Sequence, residues 1–305
     1  MRSFVSRFPV ISFALLTLVF QFCVVFIVMA IREPGVPLPQ TPLANWLFRI
    51  RVMGPLAACM LVTWYLERGP GLRKLFGSYS HWRTSPKWYV IAFTWKFALA
   101  WAGIGLTVLF TDSVWPGFFS PNFLPGYLEA LPFILLATFV EETSWIRFSI
   151  SRFQEKFNAL TSVTFVGLLW GLWYVPMFFL GEGWPDGNPV YVFVPCIIAL
   201  ALFLAVMYNS SHSGTVLLLT QVSSNSVFMM VPLLPGYVTR PDGSIDDNYL
   251  FGCSIAFILF SLSLIFILGP KNLARRERVR WSDPAPEADH LTQPEVTPAP
   301  VEVRS

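Results

Sequence analysis

Two adjacent glutamates, Glu141 and Glu142, close an apolar run that begins near Tyr127. An ionised carboxylate in hydrocarbon is costly, so a glutamate in that position carries a functional expectation. It can act as general base toward a water, relay a proton, or pair with a cation such as Arg147 or Lys96. Adjacent positions on an α-helix point in directions about 100° apart. One glutamate can therefore face a cavity while the other makes a structural contact, and the sequence leaves open which does which. A second polar set is Gln221, Ser224 and Asn225, whose spacings of three and four put them on one helical face. Such groups hold membrane helices together or donate to a developing oxyanion. The third set runs from Trp170 to Pro176. In it Trp170 and Tyr174 share a face, Gly167 and Gly171 would let another helix approach closely, and Pro176 would kink the span.

Other chemistries find no foothold. The chain has no G-x-S-x-G, H-E-x-x-H or C-x-x-C pattern. Its three histidines are His81 in a basic connector, His212 in a short polar connector and His290 near the C-terminus. None falls inside an apolar run, so no intramembrane zinc site with two histidine ligands is expected, nor any other metal or cofactor. Cys23, Cys59, Cys196 and Cys253 each fall in a separate apolar run and read as small buried hydrophobes.

The elements that must position these groups are transmembrane helices. Of 305 residues, 54% are hydrophobic and 13% charged, against about 25% charged in ordinary soluble domains. Long apolar runs predict an all-α, polytopic bundle of about eight spans: 10–30, 44–66, 89–110, 127–140, 160–180, 190–207, 215–234 and 249–268. The stretch 143–157 mixes apolar residues with Arg147, Arg152 and Lys156 and reads as an amphipathic interfacial helix. Residues 1–270 thus form one membrane domain. Residues 271–280 make a basic juxtamembrane segment, and 281–305, rich in Pro and Glu, read as disordered. With eight spans both termini share one side. That side carries Arg2, Arg7, Arg68, Arg73, Lys74, Arg83, Lys87, Arg147, Arg152, Lys156 and the basic 271–280 segment. The other side has only Arg32 and Arg240 in its loops, with Arg49 and Arg51 at a span end. This bias predicts cytoplasmic termini. Membrane lipid is the expected surrounding, and the net charge of +3 gives no reason to expect nucleic acid.

In this order, the three polar and aromatic sets resemble the CAAX-protease and bacteriocin-processing family of intramembrane glutamate endopeptidases, over about 127–234. The family's E-E-x-x-W-R-G is matched by Glu141-Glu142-Thr143-Ser144-Trp145-Ile146-Arg147. Its L-L-W-G-L-W-H-x-P is matched by Leu168-Leu169-Trp170-Gly171-Leu172-Trp173-Tyr174-Val175-Pro176. Its third motif, a His and an Asn four apart, falls on Gln221 and Asn225. The resemblance implies that Glu141 and two histidines would organise an attacking water while Asn225 binds the oxyanion. Here the histidine positions hold Tyr174 and Gln221, and the motif arginine position holds Ile146, with Arg147 displaced by one. A phenol is a poor base at neutral pH, and a primary amide transfers no proton. The resemblance with these departures implies a non-catalytic or weakly active member acting as scaffold or regulator of a membrane-bound protein or peptide partner. Glu141, Glu142, Tyr174, Gln221 and Asn225 would form its site, with Trp145, Arg147, Trp170 and Ser224 in support. Two alternatives remain: an active glutamate-dependent endopeptidase processing a membrane-associated peptide, prenylated or not, and a transport or immunity function.

Overall fold

The structure, a computed structural model, describes residues 2–33, 35–184, 189–233 and 248–284. Its regular secondary structure among these residues is all helical. The helices are α1 (Arg2–Arg7), α2 (Pro9–Ile31), α3 (Pro42–Ile50), α4 (Met53–Gly77), α5 (Pro86–Phe110), α6 (Phe123–Glu141), α7 (Ser151–Phe153), α8 (Ala159–Phe178), α9 (Val190–Ser211), α10 (Gly214–Met230) and α11 (Asn248–Leu268). A π-helix over Glu142–Ile150 joins α6 to α7. Local signals set several starts. Proline opens α2, α3 and α5, where its missing N–H costs nothing. The Asn158 and Ser213 side chains cap α8 and α10 by accepting from the Thr161 and Val216 amides.

Seven stretches are long and apolar enough to cross a membrane. They coincide with the expected spans except 215–234. That segment forms α10, which ends at Met230 and has 17 residues, about 25 Å of helix against a hydrocarbon core of roughly 30 Å. It packs against α5, α6 and α9, and Thr220, Gln221, Ser223, Ser224 and Ser226 are buried along it. A polar helix is tolerated at membrane depth when protein rather than lipid surrounds it. The Trp95 indole donates to the Thr220 carbonyl at 3.0 Å and the Ser223 hydroxyl to the Phe93 carbonyl at 3.0 Å, tying α10 to α5.

The segment 143–157 is not an amphipathic surface helix along most of its length. Every residue from Glu142 to Ser151 is buried, and only Glu155, Lys156 and Phe157 at its end are exposed. Arg147 and Arg152 depart from the amphipathic expectation because they find partners inside the protein, whereas Lys156 is exposed. Arg147 Nη2 donates to the Lys74 carbonyl at 2.9 Å, and Arg152 pairs with Glu67 at 2.5 Å. Both guanidiniums lie over the Trp281 ring, at 5.0 and 3.9 Å. Trp281 is itself buried, and its indole donates to both Glu67 oxygens at 2.9 and 3.1 Å. The chain after α11 therefore folds back onto the bundle through residue 284 instead of leaving it at Trp281. The remainder expected to be disordered, 285–305, lies outside the described residues. Asn209 holds this return in place: its amide donates to Gln154 Oε1 and the Asn272 carbonyl, both at 2.9 Å, and its oxygen accepts from the Val279 amide. Asn209, Ser210 and Ser211, read as connector, are the buried end of α9.

Other packing expectations divide. At Gly167 an added Cβ would lie 2.9 Å from the Ile198 Cα, whereas Gly171 faces open space. Trp170 stacks on Trp145, at 5.9 Å and 13°, while Tyr174 meets Trp173 and Phe193 instead. Cys59 and Cys253 are buried, but Cys23 lies on an exposed face.

Candidate functional site

The structure brings Glu141, Tyr174 and Gln221 together from α6, α8 and α10. Tyr174 donates its phenolic proton to Glu141 Oε1 at 3.4 Å, and Gln221 Nε2 donates to Glu141 Oε2 at 3.3 Å. Glu141 is 5% exposed. It closes α6 at the point where the backbone passes into the π-helix, and π-type insertions change which side chains share a face. Ser149 Oγ accordingly reaches back five residues to the Ser144 carbonyl, at 2.8 Å. An α-helical periodicity therefore does not predict the directions of Ile146 and Arg147. Ile146 is fully buried in the apolar core, and Arg147 points to Lys74, Ser151 and Trp281. Neither Arg147 nor Lys96 is the partner of the glutamates.

Asn225 shares the α10 face with Gln221, one turn further on. Its Nδ2 donates to Thr138 Oγ1 at 3.2 Å, and Thr138 lies one turn before Glu141. The asparagine is thus placed beside the carboxylate and held by a hydroxyl that sequence reasoning did not single out. Trp145 packs behind the site at full burial, edge-on to Phe13 at 5.0 Å, stacked on Trp170 and 6.3 Å from Trp173. This aromatic block fixes the π-helix against α2 and α8.

Arg51 is a second residue the sequence concealed. It was counted only as a charge at a span end. The chain breaks between α3 and α4 there, and the guanidinium is buried, 3.9 Å from the Phe48 ring centre and 5.4 Å from that of Trp173. Its charge interacts with Tyr174, Glu141 and Glu182. The only sequence signal was a cation inside an apolar run, which is itself a warning of an internal role.

Glu142 is separate from this cluster. It is fully buried, and neither carboxyl oxygen has a hydrogen-bond partner among the described residues. A buried polar group left in that state costs about 1–3 kcal/mol, more if charged. Glu142→Met is therefore expected to raise stability by about 1–3 kcal/mol, read as a higher midpoint of thermal unfolding in detergent. A lowered midpoint would show that the carboxyl is satisfied in the membrane and structurally needed.

A cavity of about 520 Å3 adjoins the site. Tyr174, Gln221, Ser224 and Asn225 line it, and Glu141 does not. The phenol and the amide thus stand between the carboxylate and the open space. The histidines are elsewhere. His212 caps the end of α9, ahead of the first residue of α10, and burial, reinforced by the Arg276 charge, holds its imidazole below the ordinary value. His81 lies in the connector before α5, where its carbonyl accepts from Ser213 Oγ at 2.5 Å. His290 lies outside the described residues. No group of three or more potential metal ligands occurs among the described residues.

Residues 123–227, from α6 to the end of the polar face of α10, match the family described as type II CAAX prenyl endopeptidase Rce1-like. Over these residues, about a third of its length, this membrane-spanning chain is similar to the CAAX protease family. No curated protein matches it in sequence. The matched segment contains Glu141, Tyr174, Gln221 and Asn225. Arg51, Lys96 and the returning Trp281 lie outside it, so the matched core here is completed by residues from the rest of the bundle.

Proposed function

We propose that this chain is a non-proteolytic member of the CAAX protease family, acting as scaffold or regulator through what it binds in its intramembrane cavity. One observation carries the reading: the Glu141 carboxylate is held on both oxygens by a phenol and a primary amide. Water attack on a peptide carbonyl needs a group that takes a proton and later gives it to the leaving amine. Gln221 cannot do this, and a phenol with an ordinary value near 10 does it poorly at neutral pH. Both donors also screen the carboxylate from the cavity where a substrate would lie. A buried, doubly hydrogen-bonded carboxylate beside the Arg51 cation suits a group that holds three helices in register.

The second reading, glutamate-dependent hydrolysis, draws support from the amides of Gln221 and Asn225 on one face. There they could serve as oxyanion donors while Glu141 alone activates water. We also place both termini on the cytoplasmic side, from the distribution of basic residues.

The deciding experiment challenges purified protein in lipid nanodiscs with prenylated peptides and an unbiased peptide library, beside Glu141→Gln. The expected result is the same background cleavage from both. Cleavage by the unaltered protein that disappears in Glu141→Gln would overturn the non-proteolytic reading.

A further inference from the structure

The cavity carries a cation that the Glu141 cluster does not use. Lys96 lies ten residues into α5, about 15 Å along the helix, near the middle of a membrane-crossing segment. Its ammonium is 4.1 Å from the ring centre of Phe257, 5.2 Å from that of Trp95 and 5.8 Å from that of Phe228. It is on the cavity wall, and the ionisable groups acting on it are the thiols of Cys196 and Cys253. Glu182 is the one acid on the wall among the described residues, and its charge acts on Arg51. A cation at this depth is costly, and ring faces compensate only part of its lost hydration. What completes such a site is an anion brought by a ligand.

From this juxtaposition we propose that the cavity takes a single-chain anionic amphiphile from the bilayer, with its headgroup on Lys96 and its chain along the apolar wall. Leu200, Ile197, Phe193 and Phe257 supply that wall. Ser224 and Asn225 on the facing α10 supply neutral hydrogen-bonding groups for the remaining headgroup oxygens. The volume of about 520 Å3 falls within the roughly 300–1,000 Å3 of small-molecule sites. A lipid occupant fits better than a peptide because the neutral hydrogen-bonding groups nearest one another are those of α10, and the larger part of the wall is hydrocarbon or aromatic. This inference rests on the reading of the cavity as a binding chamber, and not on whether the protein cleaves peptides.

The test is displacement of a fluorescent anthroyloxy-stearate from the full chain in phosphatidylcholine nanodiscs. Palmitate, hexadecyl phosphate and the neutral hexadecanol are the competitors. Palmitate or hexadecyl phosphate should displace the probe at least about 10-fold more tightly than hexadecanol, and the tighter of the two identifies the headgroup as carboxylate or phosphate. Lys96→Met should weaken the anionic competitors on the order of 30-fold and leave hexadecanol within about twofold, whereas Lys96→Arg should retain most of the preference. Displacement by hexadecanol as tight as by both palmitate and hexadecyl phosphate from the unaltered protein overturns the proposal, and that comparison stands even if the variants fail to fold. An unchanged charge preference in Lys96→Met overturns it too. So does displacement by a prenylated peptide acid and by neither anionic amphiphile, which would give the site to a peptide terminus. None of the amphiphile probes is a peptide, so their failure leaves the non-proteolytic reading standing. Glu141-dependent cleavage, conversely, would remove that reading and not this one.

Discussion

The double variant Tyr174→His with Gln221→His is expected to gain Glu141-dependent cleavage of a prenylated peptide, about 10²-fold or more above the unaltered chain. Tyr174 and Gln221 already place polar atoms 3.4 and 3.3 Å from the two Glu141 oxygens. An imidazole at position 174 reaches less far than a phenol, opening space beside the carboxylate for a water. Both imidazoles can accept a proton near neutral pH, where neither present side chain does so effectively. Asn225 stays on the same face as an oxyanion donor, positioned by Thr138. Proton-transfer groups typically contribute about 10²–10⁴-fold each, and members of one site act non-additively, so either single variant should recover far less than the pair. Adding Glu141→Gln to the double variant should abolish the gain. If the double variant folds with unchanged thermal stability and still cleaves nothing, the missing histidines are not what separates this chain from proteolysis. Suspicion would then move to Ile146, which fills the motif arginine position with a core side chain.

The second large effect concerns the crossing of α5 and α11. A Cβ on Gly103 would meet the Cys253 backbone nitrogen at 2.8 Å and its sulfur at 2.6 Å, with the Cys253 Cα closer still. On the facing helix, a Cβ on Gly252 would meet the Gly103 carbonyl at 3.0 Å and collide with the Thr107 hydroxyl. The obstacles include backbone on both sides, so no side chain can swing away. Gly103→Leu is expected to cost at least about 3 kcal/mol, the upper end of overpacking effects. It should show as loss of folded protein in fluorescence-detection size-exclusion chromatography. Gly171→Ala provides the contrast: nothing lies within 4 Å of that position, so it should be neutral or stabilise by up to about 1 kcal/mol. Equal tolerance of both changes would mean that the α5–α11 contact is looser than the structure has it. This crossing also forms a wall of the cavity, through Ala100, Cys253 and Ser254, so loosening it should impair amphiphile binding as well.

The sequence by itself determined the class of the protein and most of its helices. Hydrocarbon admits only closed backbone hydrogen bonding, so long apolar runs must become helices, and their limits fell close to those of α2, α5, α8, α9 and α11. Motif order alone also drew Glu141, Tyr174, Gln221 and Asn225 into one reading. The tertiary structure decided the rest, because it depends on partners far apart in the chain. Whether Arg147 and Arg152 face water turns on Lys74, Glu67 and Trp281, which no local window contains. Which glutamate meets Tyr174 and Gln221 turns on a π-helix whose onset has no periodic signature. The inward placement of Arg51 turns on a break between two helices read as one span. Lys96 looked like a lone charge in an apolar run, and only the meeting of α5, α10 and α11 surrounds it with three rings and an open cavity. A charge in a membrane must be compensated, and the sequence reveals that requirement. What compensates it is settled by the packing of elements that the chain brings together from a distance.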